Sequence, residues 1–404
     1  MTTKERLVSL AVAGALFALP LGLMAGWQDP LLDGGLHVQA EAILDGALPY
    51  ADRNFEYPPL SIPLVIAPGL LSDSAVAYRE AFAWEMILFG LAIVAMLALL
   101  VEGGRREVWG ALAVFVLGVV FLSGLGPLPD SDIDGTALAL ARFDLVPAAF
   151  VLAGCFARLA RRSGLWGAML GIGCAIKAFP LLLVPSFAKG ERSLPRAAVG
   201  FAIPLLLAGG FVVLSGDEFA SALGYHAGRG LQVESVSATV PLLANLWFGT
   251  DAATETAAGA YNLIGGGAEV ARLIAIVGFI VSWIWLVITG WKRDLPLLPL
   301  TTAILAVALV FSPVLSPQFL FWVLPVSAAA FGLRAPNLIL LVTVLVTEFM
   351  LATYDGVDTL GSEFSIALSI RNLLLIAYAV SVVVCLLRKD RAEPVPTAAP
   401  ARAS

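Results

Sequence analysis

Asp33 is the first residue of this chain whose type and setting fit a chemical step. It follows a long apolar run and opens the loop DGGLHVQAEAILDGALPYADRNFEYPPL. A carboxylate at a membrane surface, partly withdrawn from water by lipid and neighbouring helices, has the basicity wanted of a general base. It could equally cap the short interfacial helix expected at 36–44, with Gly46 as its stop; spacing leaves both roles open. His37 lies four residues on. At the far end of the loop, Pro58 and Pro59 force an extended residue before them and suit the first turn of a helix. They therefore fix Glu56 and Tyr57 at the interface, where a tyrosine is also an ordinary membrane anchor.

Lys177 is the most informative single charge. It interrupts the apolar run LGIGCAIKAFPLLLVP, and Pro180 breaks the helix three residues later. An intramembrane cation is costly and marks a functional position unless it snorkels to an interface. Few other cations belong to the same half of the protein: Arg53, Arg79, Arg142, Arg229, Arg272 and Arg371. Against an acidic background they form a short set for binding an anion. Arg371, about two turns inside the last span, needs an acidic or phosphate partner. Asp144, in RFDLVPA, pairs locally with Arg142 or serves a ligand. The segment YHAGRGLQVESVSATVP gathers His226, Arg229, Gln232 and Glu234, able to hydrogen-bond a sugar or a phosphate or simply to be solvated. Gln318, in SPQFLFWVLP, is placed to face the same site.

The elements that must carry these groups are membrane helices. Only 13% of the 404 residues are charged and 59% are hydrophobic, against about 25% charged in ordinary soluble domains. The fold class is therefore all-α, a polytopic bundle of about 10–12 transmembrane helices. Spans are expected near 7–27, 75–101, 108–126, 139–160, 195–215, 268–291, 294–312, 319–334, 336–354 and 364–388. The interval 164–188 reads as two short legs around Lys177 and Pro180, and 58–71, about 14 residues, as a juxtamembrane segment. Most of the 24 basic residues then fall at one set of ends, among them Lys4, Arg105, Arg158, Lys189, Lys292 and Arg388. The positive-inside rule puts those ends, and both termini, in the cytoplasm. The expected setting is the plasma (inner) membrane, multi-pass, with the site extracytoplasmic. The first span, with a core of about 20 residues, reads as a retained anchor. Residues 1–390 form one membrane domain, and 391–404, rich in Pro and Ala, a disordered tail. Three cysteines inside spans make a disulfide framework improbable. No nucleotide-binding glycine motif or nucleic-acid signature is present, GGG at 265–267 included.

These motifs, in this order, resemble the GT-C superfamily of integral-membrane glycosyltransferases, most closely the mannosyltransferase-like group of glycosyltransferase family 87. The first loop carries the resemblance best, through Asp33, Gly46, Pro49-Tyr50 and Tyr57-Pro58-Pro59-Leu60, with His37 in place of an aromatic. RFDLVPA at 142–148, KAFPLLLVP at 177–185, RGLQVES at 229–235 and SPQFLFWVLP at 316–325 follow in the expected order.

The resemblance implies inverting transfer of a sugar, mannose favoured, from a polyprenyl-phosphate donor to a hydroxyl of a glycolipid or glycan. Asp33 would be the catalytic base. Lys177, Arg229, Arg371 and His226 would hold the donor phosphate, and His37, Glu56, Tyr57, Asp144, Gln232, Glu234 and Gln318 would bind acceptor or support the site. No metal and no cofactor is assigned. A transporter or flippase is the rival reading. It predicts broken helices in both halves of the chain, and only the Lys177 pair is evident. A non-catalytic scaffold explains the hydrophobicity but not the ordered motifs.

Overall fold

The computed structural model describes residues 1–25, 32–52, 55–72, 74–125, 137–215, 229–257 and 259–388, with Asp33 and Gly34 among a few placed by backbone alone. Arg53, His226 and the 391–404 tail lie outside the described residues, as does the Asp33 side chain.

Six helices are long and apolar enough to cross a membrane: Thr3–Leu23, Ala75–Leu100, Arg105–Gly124, Leu194–Val213, Ala268–Arg293 and Ser362–Leu387. At about 1.5 Å per residue each spans roughly 30 Å or more. Arg105–Gly124 is 61% buried within the bundle, against 17% for Leu194–Val213 and for Ala268–Arg293. The first is thus central and the other two peripheral. Shorter apolar helices complete the bundle: Leu145–Leu159, Ser163–Ile176, Leu297–Phe311, Leu320–Phe331 and Ala335–Leu351. Leu297–Phe311 and Leu320–Phe331 are buried along most of their length. They are about 18–23 Å long, shorter than the roughly 30 Å of a bilayer core.

Proline and glycine decide where these breaks fall. The span expected at 139–160 is divided: Leu138–Ala141 ends, Arg142 is extended, and a new helix starts at Leu145. Pro147 sits in that helix's first turn, where its missing N–H costs nothing. The expected split of 164–188 occurs at Lys177, which is extended between Ile176 and Phe179. The ring of Pro180 would clash with the Ile176 carbonyl in a continuous helix. Ser163–Ile176 lies directly against Leu194–Ser215; a Cβ on Gly167 would stand 2.1 Å from the Ala197 carbonyl oxygen. Only glycine allows that approach. The segment 58–71 forms a 3-10 turn, Pro59–Ser61, and a short helix, Ile62–Leu70, rather than a crossing.

One end of the bundle is basic. Arg158 Nε donates to the Phe187 carbonyl at 2.8 Å, and Lys189 Nζ donates to the Gly290 carbonyl at 2.7 Å. Glu191 accepts from the Ser193 N–H, Trp166 and Ser163 and lies 3.7 Å from Arg158. Burial works against its charge, but those bonds and the Arg158 guanidinium hold its carboxyl down at about 2. At the other end the loops gather, and there the all-α expectation needs one amendment. Leu231–Gln232, Ala260–Ile264 and Ala253–Ala257 form a small antiparallel sheet in that spatial order.

Candidate active site

Lys177 and Asp144, 33 residues apart in sequence, meet at the loop end. Asp144 occupies the N-cap position of Leu145–Leu159 yet caps nothing. Its carboxylate is used elsewhere: Oδ1 accepts from Lys177 Nζ at 2.6 Å and from the Trp322 indole N–H at 2.6 Å. The local Arg142–Asp144 pair considered from sequence does not form; Arg142 Nη1 donates to the Ala141 carbonyl instead. Asp144 is 1% exposed, so this is a desolvated ion pair whose strength depends on full hydrogen bonding.

Aromatic rings enclose the ammonium. Nζ lies 5.1 Å from the Phe319 centroid, 5.5 Å from Trp322, 5.8 Å from Phe143 and 6.0 Å from Tyr57. At Phe319, Phe143 and Tyr57 these distances fall within the range where a ring face attracts a cation, while Trp322 meets the pair through its indole N–H. Asp144 is the hydrogen-bond acceptor of Nζ among the described residues, and an ammonium carries three donors. The remaining N–H bonds are therefore available to an anion.

Proline turns place three of the rings, and the extended Arg142 places Phe143. Phe319 ends the 3-10 turn Pro317–Phe319 and Trp322 follows it; Ser316, just before the turn, donates from Oγ to Gln318 Oε1 at 2.5 Å. Tyr57 precedes Pro58 and packs edge-on against Phe143 at 4.7 Å. Its backbone carbonyl accepts from the Tyr50 hydroxyl at 2.5 Å. Tyr50 itself has φ +71°, a strained backbone state for a tyrosine. The PY and YPP motifs thus lock one another. Burial, and then the adjoining Glu56 carboxylate, push the Tyr57 phenol well above its ordinary range.

Gln232, Glu234 and Arg371 form a second cluster, joined to the first through the segment 313–322. The Gln232 N–H donates to the Pro313 carbonyl at 2.9 Å. Glu234 Oε1 accepts from the Tyr354 hydroxyl at 2.5 Å, and burial raises the Glu234 carboxyl above its ordinary value. Arg371, 1% exposed, donates from Nη2 to the Glu234 backbone carbonyl at 2.9 Å, and Asn372 donates to the Ser235 carbonyl at 3.1 Å. The helix Ser362–Leu387 therefore grips the backbone of 234–235, and Arg371 bonds that backbone rather than the Glu234 carboxylate, which is held by Tyr354. Arg371→Lys is expected to lower stability by about 1–3 kcal/mol, checked by thermal unfolding in detergent, because an ammonium does not reproduce the planar reach of the guanidinium.

The other sequence candidates are placed apart or by backbone alone. His37 stands 3.4 Å from Glu41 and packs on Tyr78 at 4.9 Å. Arg229 begins the segment that leads into Leu231–Gln232. Asp33 lies inside a π-type turn, Leu32–His37, that runs into the helix Val38–Leu44, one turn earlier than expected. Trp322, Phe319, Phe179 and Tyr354 carry no signal in the sequence that separates them from membrane-facing aromatics. SPQF, which turns the chain just before Trp322, is the nearest to one.

Residues 55–317 match the family model described as glycosyltransferase family 87, a span that holds Tyr57, Asp144, Lys177, Arg229, Gln232 and Glu234. No curated protein matches the chain. The matched span is well over half of the sequence, carries the ion pair and two of its aromatic walls, Tyr57 and Phe143, on a polytopic helical bundle, and agrees with the motifs: the chain belongs to glycosyltransferase family 87.

Proposed function

We propose that this glycosyltransferase moves a sugar, mannose favoured, from a polyprenyl-phosphate donor to a hydroxyl of a cell-envelope glycolipid or glycan, with inversion. The observation that carries the reading is the Lys177 ammonium. It is held at 2.6 Å by one carboxylate, ringed by aromatics and set on a broken helix, with N–H bonds left to hold a phosphate. In the reaction, Asp33 takes the proton of the acceptor hydroxyl. The hydroxyl oxygen bonds to the anomeric carbon, and the bond from that carbon to the phosphate oxygen breaks. The electron pair leaves with the polyprenyl phosphate, whose added charge Lys177 stabilises, with Arg229 and His226 assigned to the same phosphate. Glu56, Tyr57, His37 and Gln318 are assigned to the acceptor side. Gln232, Glu234 and Arg371 support the site by holding the 229–235 segment.

Sidedness follows from charge. The basic end, with Arg158, Lys189, Lys292 and Arg293, faces the cytoplasm under the positive-inside rule, which puts Lys177 and the loops outside. Nucleotide sugars are not available there, so the donor is lipid-linked. The testing experiment supplies membranes containing the protein with labelled polyprenyl-phosphate mannose, glucose, galactose and arabinose, and in parallel with GDP-mannose. Transfer from a polyprenyl-phosphate donor and none from GDP-mannose is expected. Transfer from GDP-mannose alone overturns the donor class, and transfer from none of them favours a transporter.

A further inference from the structure

We propose that Trp322 is a positioning residue that aims the Asp144–Lys177 pair at the donor phosphate; this rests on the reading of Lys177 given above. Trp322 cannot serve as a sugar platform, because both of its faces are covered. Phe179 stacks on it at 4.4 Å and 6°, and Phe319 at 4.0 Å and 21°. What remains is the indole edge, whose single polar group, the N–H, points at Asp144 Oδ1. That oxygen is also the one held by Lys177, at the same 2.6 Å. Two donors arriving on one oxygen from different elements, Leu320–Phe331 and the break after Ser163–Ile176, leave the carboxylate one orientation. The ammonium is tethered through it.

Without the indole N–H, Asp144 is free to rotate and to take up more of the Lys177 hydrogen-bonding capacity. Fewer N–H bonds then face the donor phosphate, and the bound donor is held less tightly. A packing role would act only through ring volume, which Trp322→Phe largely keeps between Phe179 and Phe319. A role in aiming charge acts through the N–H, which it removes. The two roles are therefore separable by one substitution.

The test uses the full chain in lipid nanodiscs with labelled polyprenyl-phosphate mannose as donor. Trp322→Phe is expected to raise the donor KM about tenfold, as loss of a hydrogen bond to a charged group does, with kcat changed less than about threefold. Its melting temperature should stay close to wild type. In a variant that lacks the charges, Asp144→Asn with Lys177→Gln, adding Trp322→Phe should leave the residual KM within about twofold. An unchanged KM in Trp322→Phe overturns the proposal. So does an equal further rise in the charge-free background, which would mark a packing effect. A wild-type protein that transfers from no polyprenyl-phosphate donor overturns the reading of the site and the aiming role with it. That outcome is told apart because it appears before any substitution is made.

Discussion

Exchanging Lys177 for Gln is expected to lower sugar transfer about a hundred- to a thousandfold, the usual cost of removing one preorganised charge from a developing anion. The same substitution leaves Asp144, 1% exposed, with Trp322 as its remaining donor. Stranding a buried carboxylate in this way costs about 3–5 kcal/mol, so the variant should also melt lower. The two effects part company in the double variant Lys177→Gln with Asp144→Asn. An Asn amide still accepts from the Trp322 N–H, and no charge is left buried, so stability should return most of the way to wild type. Transfer should not return. Thermal unfolding and transfer rate, measured on the three proteins side by side, decide the matter. If the double variant recovers activity along with stability, the ion pair joins the Leu145–Leu159 and Ser163–Ile176 helices and does nothing more.

The bundle was open to reading from hydropathy because a bilayer imposes a length on each apolar run. Lys177 and its break were legible for a similar reason. A proline and a charge in an apolar run each conflict with a continuous membrane helix, and both lie in KAFP. What the chain does not announce is the partner. Asp144 stands two residues from Arg142 in sequence, and only the extended conformation of Arg142 and the turn at Asp144 direct its carboxylate away from that residue and towards Lys177. Trp322 is concealed differently. In FLFWVLP it has the composition of a lipid-facing segment, and its role depends on Phe179 and Phe319 covering its two faces. The sheet is hidden because Ala253–Ala257 is largely exposed and lacks an alternating apolar face; pairing with Ala260–Ile264, not pattern, holds it. From sequence, Arg371 needs an acidic or phosphate partner. The one it directly bonds is a backbone carbonyl, which no residue type reveals.

Asp33→Asn is expected to reduce transfer by about a thousandfold, within the range for loss of a general base, while donor KM changes less than about threefold and the melting temperature stays put. The argument begins with the turn that carries Asp33. Leu32 and Leu36, 3% and 8% exposed, anchor that turn in an apolar cluster shared with Tyr50, Phe55, Phe143 and Ile176. Phe143 is a wall of the Lys177 site and the residue before Asp144; Ile176 is the residue before Lys177. The same cluster thus supports the Asp33 backbone and two sides of the ion pair. The competing role, a helix cap, makes the opposite prediction, since Asn caps about as well as Asp. A capping Asp33 would leave both transfer and stability unchanged on replacement by Asn. A base loses its proton acceptor at constant shape and nearly constant volume. Asp33→Glu sharpens the contrast, because it keeps the carboxylate and misplaces it by one methylene. Intermediate activity is expected there, and equal activity in the Asn and wild-type proteins would move the proton acceptor to Glu56, which adjoins Tyr57 at the edge of the same aromatic enclosure.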